Sequence, residues 1–164
     1  MQNYAQSKYK YQTTKAFTPR KPVKTFRDLD IYQKAMECAV IVVKNIRPKL
    51  VTLKYPFIEG ITDCAMSVPL FIGEAHSIRF GNFALGLQLI EKAMSGCNKM
   101  IIYLEHSKGM YGEKVEREVI DELIARYAEA RTKTFHLEQS WKKWGRPAAD
   151  VAGSVKRNSA RITL

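Results

Sequence analysis

The feature that most constrains the fold is a run of apolar residues that alternate at spacings of four and three. Such spacing places every member on one face of a helix and is close to the seam of a coiled coil. A helix with an apolar face of this length must bury it against another layer of secondary structure. The run consists of Phe83, Leu87, Ile90, Met94, Cys97, Ile101 and Leu104.

Three other stretches have the same periodicity, and none shows the alternation typical of a strand. Together they predict helices over about residues 28–46, 57–78, 83–106 and 113–144. Short turns join the helices, and a chain of 164 residues can bury a real core as one domain. The sequence therefore predicts an all-α, antiparallel up-down-up-down four-helix bundle over residues 26–144.

Proline and glycine set the predicted limits of these helices. Pro48 is expected to end the first helix, and Gly145 with Pro147 to end the fourth. Pro69 lies in the middle of the second, where we expect a kinked but continuous helix because packing offsets a cost of about 3 kcal/mol. Residues 107–112 are predicted to form a glycine-rich turn.

The net charge of +11 is gathered at the two ends of the chain. Residues 1–27 hold seven Lys or Arg and no acid, and residues 142–164 hold six against Asp150. Between them, residues 28–141 are nearly balanced, with 14 basic and 15 acidic side chains. Charge concentrated in this way favours a polyanionic partner.

Both ends lack any helical or strand period, so we predict a disordered basic arm over residues 1–25 and a disordered basic tail over residues 145–164. Basic side chains release counterions from phosphates, and interleaved aromatic rings stack on bases of any sequence. We therefore predict binding to RNA or DNA without base-specific contacts; the alternative is that the ends only solubilise the protein. The candidate nucleic-acid-binding residues are Lys8, Lys10, Lys15, Arg20, Lys21, Lys24, Arg27, Lys142, Lys143, Arg146, Lys156, Arg157 and Arg161.

Two tryptophans close the fourth helix and need separate interpretations. Trp141 continues the apolar stripe, so it is expected to pack. Trp144 lies beside Lys142 and Lys143, and could either pack against the bundle end or stack on a base. Packing is the favoured interpretation. If the tails are not the site, the alternative is the basic surface of the bundle, with Lys92, Lys99, Arg126, Arg131 and Lys133.

No group of residues has the spacing of a catalytic or cofactor site. The sequence has no phosphate-binding loop ending in Lys and Ser or Thr, and no nucleophile or zinc-protease motif. His76 and His136 lie near one end of the predicted bundle and His106 near the other, which disfavours a shared metal site. We expect a non-enzymatic protein without catalytic residues, cofactor or metal.

The cysteines and the hydropathy bear on location. Cys38, Cys64 and Cys97 are odd in number and widely spaced, which favours buried reduced thiols in the cytoplasm. The first 25 residues contain no apolar stretch of the kind that directs secretion. The longest apolar run, residues 38–43, is too short to cross a bilayer, so no membrane association is expected.

Two segments resemble a known superfamily. Residues 26–35, FRDLDIYQKA, are similar to the opening of the four-helix-bundle proteins encoded in ribosomal-RNA intervening sequences. Residues 67–75, SVPLFIGEA, resemble that family's second motif, in which Ser-Ile-Pro leads to Asn-Ile-Ala-Glu-Gly. Phe71 stands in place of the usual Asn, and Gly73 and Ala75 are exchanged in order, so a polar role for that Asn is not carried over.

The same superfamily includes Avd, the accessory variability determinants of diversity-generating retroelements. A long last helix ending in SWKKW at residues 140–144, together with the basic balance, is most like the Avd branch. This resemblance implies a homopentamer that binds nucleic acid and an error-prone reverse transcriptase, which makes mutagenised cDNA from a template RNA. The alternative is an intervening-sequence-type interaction protein with no reverse transcriptase partner.

Overall fold

The computed structural model describes residues 22–145, which form helices and no strand. This confirms the all-α prediction for that part of the chain. The first long helix is continuous but changes its winding, so it comprises α1, a π-helical segment and α2. The bounds are α1 Asp30–Ile41, the π segment Val42–Ile46, α2 Arg47–Thr52, α3 Ile58–Ile78, α4 Phe83–Tyr111 and α5 Arg117–Trp144, with 3₁₀ turns at Phe26–Asp28 and Gly112–Lys114.

The long helices pack in a ring: α3 contacts α1 and α4, and α5 also contacts α4 and α1. The apolar stripe predicted along α3 is fully buried except for its first member, Ile58, which is half-buried, and Tyr127 of α5 is also fully buried. Burial removes apolar surface from water, so each of the Ile and Val side chains contributes about 1.5–3 kcal/mol and each Ala less. The fully buried stripe residues of α3 are Ile61, Ala65, Val68, Ile72 and Ala75.

Only part of the apolar seam predicted along α4 is fully buried. Ile90, Cys97 and Leu104 are fully buried, but the larger side chains between them are only half-buried. Leu89, Met100 and several small residues of α4 are buried instead, and the small ones bring the helix backbones closer together. The half-buried members of the predicted seam are Phe83, Leu87, Met94 and Ile101, and the small buried residues are Gly86, Ala93 and Gly96.

The prediction that Pro48 ends the first helix is wrong. The chain stays helical to Thr52, because the π segment just before the proline widens the winding. There the Arg47 N–H bonds to the carbonyl of Val42, five residues back. Pro48 then occupies the first turn of α2, where its missing N–H and its ring are tolerated.

The ends of the other helices also differ from the predicted ends, and the reasons are again local. Helix α3 continues through Pro69 without a break, as predicted. Helix α4 extends to Tyr111, so most of the predicted turn over residues 107–112 is helical. A single glycine inside a helix costs only about 1 kcal/mol, and the helix ends where Gly112 adopts a φ of 55°. Residues 112–114 form a 3₁₀ turn, which delays the start of α5 to Arg117.

Ion pairs cross between the first helix and α5 in reverse chain order. Lys133 contacts Asp30 at 2.6 Å, Arg126 contacts Glu37 at 3.7 Å, and Lys49 pairs with Glu116. Exposed pairs of this kind add only about 0–1 kcal/mol each, so they align the two helices more than they stabilise them.

The cysteines follow their predicted environment in part. Cys38 and Cys97 are buried, Cys64 is half-buried, and all are free thiols. Burial raises the pKa of Cys97 to about 12. Between residues 22 and 145, no helix combines the length and the apolarity needed to cross a membrane.

The contact between α3 and α4 gives the first prediction. A Cβ at position 96 would lie 2.7 Å from Cγ2 of Val68, a β-branched side chain with little rotamer freedom. Overpacking of this kind costs about 1–3 kcal/mol, against a gain in helix propensity of about 1 kcal/mol. The difference is a net cost of up to about 2 kcal/mol, so we expect Gly96→Ala to lower the free energy of unfolding by up to that amount in urea titrations.

Gly109→Ala is the matched control, because it lies in the same helix with nothing within 4 Å of its added Cβ. We expect this substitution to raise stability by about 0.5–1 kcal/mol. Equal effects of the two substitutions would contradict the close α3–α4 contact.

Candidate nucleic-acid interface

One end of the bundle holds a cavity of about 330 Å³. The end of α3, the start of α4 and the end of α5 meet there, together with the segment before α1. Val23 and Gly145, which lie next to the two limits of the described residues, both line it. The two ends of the described segment, to which the basic ends of the sequence are attached, therefore lie at this cavity. Its other lining residues are Leu29, His76, Arg79, Phe80, Phe83, Leu137, Ser140, Trp141 and Trp144.

Arg79 is the main charged group of the cavity. Its guanidinium carbon lies 4.5 Å from the ring centroid of Phe80 and 4.6 Å from that of Trp141, so two aromatic faces hold it in place. Burial lowers its pKa, but the ordinary value is so high that the group stays charged at neutral pH. Arg79 makes no ion pair with any residue from 22 to 145, and its buried Nε lacks an acceptor there.

His76 lies one turn before Arg79 on α3. The side chain is 6% exposed, packs 6.4 Å from the Trp141 ring centroid, and its Nε2 has no hydrogen-bond partner within the described residues. Burial lowers its pKa, and the charge of Arg79 lowers it further. The imidazole is therefore neutral at neutral pH, and its Nε2 is enclosed by protein without a hydrogen bond.

The two tryptophans have opposite environments. Trp141 is 4% exposed and packs as predicted, whereas Trp144 is 76% exposed. The favoured packing interpretation of Trp144 is therefore wrong, because α5 carries its ring beyond the last turn of the core. The Nζ of Lys143 lies 4.7 Å from its centroid. One face of the ring thus has a cation beside it at the rim of the cavity.

Of the predicted nucleic-acid-binding residues, Lys24, Arg27, Lys142 and Lys143 lie in the described part, and all four are exposed. Lys142 pairs at 2.6 Å with Glu138, whose side chain is 4% exposed, so its charge is largely used within the protein. Lys24, Arg27 and Lys143 make no ion pair with residues 22–145. The remaining candidates lie outside the described residues: Lys8, Lys10, Lys15, Arg20, Lys21, Arg146, Lys156, Arg157 and Arg161.

The alternative basic surface on the bundle is weaker than its sequence indicates. Arg126 pairs with Glu122 and Glu37, and Lys133 pairs with Asp30 and Glu129. Their charges are compensated by acids of the same or the neighbouring helix. The other members, Lys92, Lys99 and Arg131, are exposed.

A larger concavity of about 950 Å³ lies between α1 and α3. Apolar side chains such as Met36, Met66 and Leu70 line it, and its charged members are Asp63 and Glu74. A surface with only acidic charges repels phosphate, so this groove does not suit a polyanion.

The histidines do not converge. His76 lies at the cavity, His106 lies beside Tyr55 at the opposite end of the bundle, and His136 is exposed on α5. No cluster of three or more metal-ligating residues occurs between residues 22 and 145.

Sequence analysis missed the residues that build the cavity. Arg79 and Phe80 lie between the helix predicted over residues 57–78 and the Gly81-Asn82 turn, and the sequence pattern gives them no role. Their signal is the order His76, Arg79, Phe80 and then Phe83, which places basic and aromatic groups at one helix junction. The pattern indicates a site only once the fold places Trp141 of α5 at the same junction.

Comparisons with family models, curated proteins and solved structures find no match to this chain. The resemblance of residues 26–35, 67–75 and 140–144 to the superfamily that includes Avd therefore remains a prediction from the sequence.

The tryptophan environments lead to a second prediction. Trp141→Ala should lower the free energy of unfolding by about 3 kcal/mol or more, because it leaves a cavity and removes the ring on which Arg79 packs. Trp144→Ala should change it by less than about 0.5 kcal/mol, because the ring is exposed. Urea titration followed by circular dichroism measures both. A comparable loss in the two variants would mean that Trp144 packs after all.

Proposed function

We propose that this protein is a non-enzymatic nucleic-acid-binding accessory protein that associates with an error-prone reverse transcriptase in a diversity-generating retroelement. Its role there would be to support mutagenic cDNA synthesis from a template RNA. The observation that carries the nucleic-acid half is the cationic, aromatic cavity at the bundle end where both basic tails join.

Charge placement supports binding at this end. The body between the tails has almost no net charge, so the tails supply the attraction for a polyanion. Because Val23 and Gly145 line the same cavity, the basic arm and the basic tail start from one end of the bundle. Phosphates drawn there would meet Arg79, Lys143 and the exposed rings together.

The groups at this end suit binding more than catalysis. Arg79 provides hydrogen-bond donors for phosphate, and Trp144 provides a surface for stacking. The described cavity lining holds one hydroxyl, that of Ser140, and no carboxylate that could act with it. The proposal therefore assigns the chemistry of cDNA synthesis to the partner enzyme.

The proposal includes an antiparallel up-down-up-down bundle with the basic tails over residues 1–25 and 145–164. The ion pairs between the first helix and α5, which run in reverse chain order, support this arrangement. It also includes a cytoplasmic homopentamer, as the resemblance implies. Five copies would gather ten basic tails on one particle, so weak individual contacts would add to a strong overall attraction.

A second candidate is an intervening-sequence-type bundle without a reverse transcriptase partner. The motif over residues 67–75 favours it as much as the Avd branch, because Ser67, Pro69, Ile72 and Glu74 match the shared pattern. A gene lying within a ribosomal-RNA operon would support this candidate. A gene beside a reverse transcriptase and repeated sequences would support Avd.

The tails generate the third prediction. Removing residues 1–24 and 145–164 should leave the helical fold and the oligomer intact but weaken RNA or DNA binding by about ten-fold or more at physiological salt. A salt titration by fluorescence anisotropy should also give a flatter slope, because fewer counterions are released.

Two full-length variants separate charge from length. Replacing Lys8, Lys10 and Lys15 by Gln should reproduce part of the loss, whereas replacing Lys92, Lys99 and Arg131 by Gln should change affinity by less than about two-fold. The opposite order would move the interface onto the bundle surface. Binding that is absent, or insensitive to salt, in the intact chain would refute the nucleic-acid function.

The fourth prediction concerns the protein partner. The full-length chain should co-purify with the reverse transcriptase encoded beside it, and the complex should survive nuclease treatment, because the proposal includes direct protein contact. Size-exclusion chromatography with mass detection measures both the association and the number of copies. A complex that dissolves on nuclease treatment would reduce the association to bridging by nucleic acid.

A further inference from the structure

The cavity at the bundle end brings together two buried polar atoms without partners. His76 is 6% exposed and has no partner for Nε2, and the buried Nε of Arg79 also has none, among residues 22–145. Burying a polar group without a hydrogen bond costs free energy. Both residues line one cavity, so the uncompensated polarity of the described residues at this end of the bundle is concentrated there.

The charge of the residues that line the cavity favours an anionic ligand. None of the described lining residues is acidic, and Arg79 is charged with no carboxylate to neutralise it. Two aromatic rings hold its guanidinium, so its donors are oriented before a ligand arrives. A planar guanidinium fixed in this way is well suited to phosphate oxygens.

The aromatic side chains at the rim of the cavity favour a ligand in which a flat ring is attached to that anion. Trp144 is 76% exposed and Phe80 is 78% exposed, which is unusual for aromatic side chains that line a cavity. Exposed rings beside a cation are the stacking platforms used for unpaired bases. The volume of about 330 Å³ is at the small end of ligand sites, and matches a small unit more than a duplex.

We propose that this cavity binds one unpaired nucleotide of a single strand, with its phosphate at Arg79 and its base against Trp144. The inference rests on the proposed nucleic-acid binding and adds strand selectivity to it. Bases in a duplex are already stacked within the helix, so they cannot offer a free face to Trp144. The tails attract any polyanion, whereas the cavity distinguishes a single strand from a duplex.

The test compares a short fluorescein-labelled oligothymidylate with a labelled hairpin duplex, using the full-length chain and fluorescence anisotropy. Trp144→Ala should weaken binding of the oligothymidylate by about five-fold or more and leave the hairpin within about two-fold. Phe135→Ala is the matched control, because Phe135 is 41% exposed on the same helix and does not line the cavity.

Arg79→Gln should weaken binding of the oligothymidylate by about ten-fold. Arg131→Gln removes the same charge from the exposed surface of α5 and should change affinity by less than about two-fold. Circular dichroism melting shows whether Arg79→Gln still folds. Trp144→Ala keeps the test decisive in either case, because its ring is exposed.

Thymidine 5′-monophosphate and inorganic phosphate serve as competitors. The nucleotide should displace the oligothymidylate at lower concentration than phosphate does, and equal potency would overturn the assignment of a base. An unchanged affinity for the oligothymidylate in Trp144→Ala, or an equal loss on both probes, would also overturn it. If one of these results is found while the wild-type protein still binds both probes, the cavity proposal fails but the proposed binding of nucleic acid through the tails does not. Binding to neither probe would remove both proposals.

Discussion

The close approach of α3 and α4 is the contact on which the rest of the structure depends. Val68 fits against the bare backbone of Gly96, and further along a Cβ at Gly86 would lie 3.1 Å from Cα of Arg79. Larger side chains at these two positions would push the helices apart. The same contact holds the end of α3 against the start of α4, so it determines where Arg79 and Phe83 meet.

Apolar periodicity was sufficient to predict the four long helices, because each has a face that only another helix can cover. It was not sufficient to predict which residues lie innermost. The pattern favours large side chains such as Leu87 and Met94, whereas the closest packing uses Gly86 and Gly96. Glycine carries no hydropathic signal, so its role in a close helix contact becomes visible only when the neighbouring helix is in place. The limit predicted from Pro48 was wrong for a related reason. A π-helical turn just before the proline lets the helix continue past it, and the sequence pattern does not show that turn.

For the candidate site too, one part could be predicted from the sequence and another part is visible only in the structure. The count of Lys and Arg near the termini already predicts attraction to a polyanion, since net charge acts over distance and needs no exact geometry. Arg79 adds only one basic residue to that count. Its importance comes from its place between the rings of Phe80 and Trp141, and the second of these rings comes from a helix far away in sequence. No local pattern could have joined residue 79 to residue 141.

Tails and cavity would contribute at different stages of binding. Charge on the tails raises the rate of encounter and loses strength as salt rises, because its effect is screened within about 8 Å at physiological ionic strength. Stacking on Trp144 and hydrogen bonds to Arg79 act only at contact and are screened far less. Affinity for a single strand would therefore combine a salt-sensitive part that recognises phosphate with a less salt-sensitive part that recognises an exposed base. A template that is copied must be unpaired at the point of synthesis, so a cavity that favours unpaired nucleotides suits a protein acting beside a reverse transcriptase.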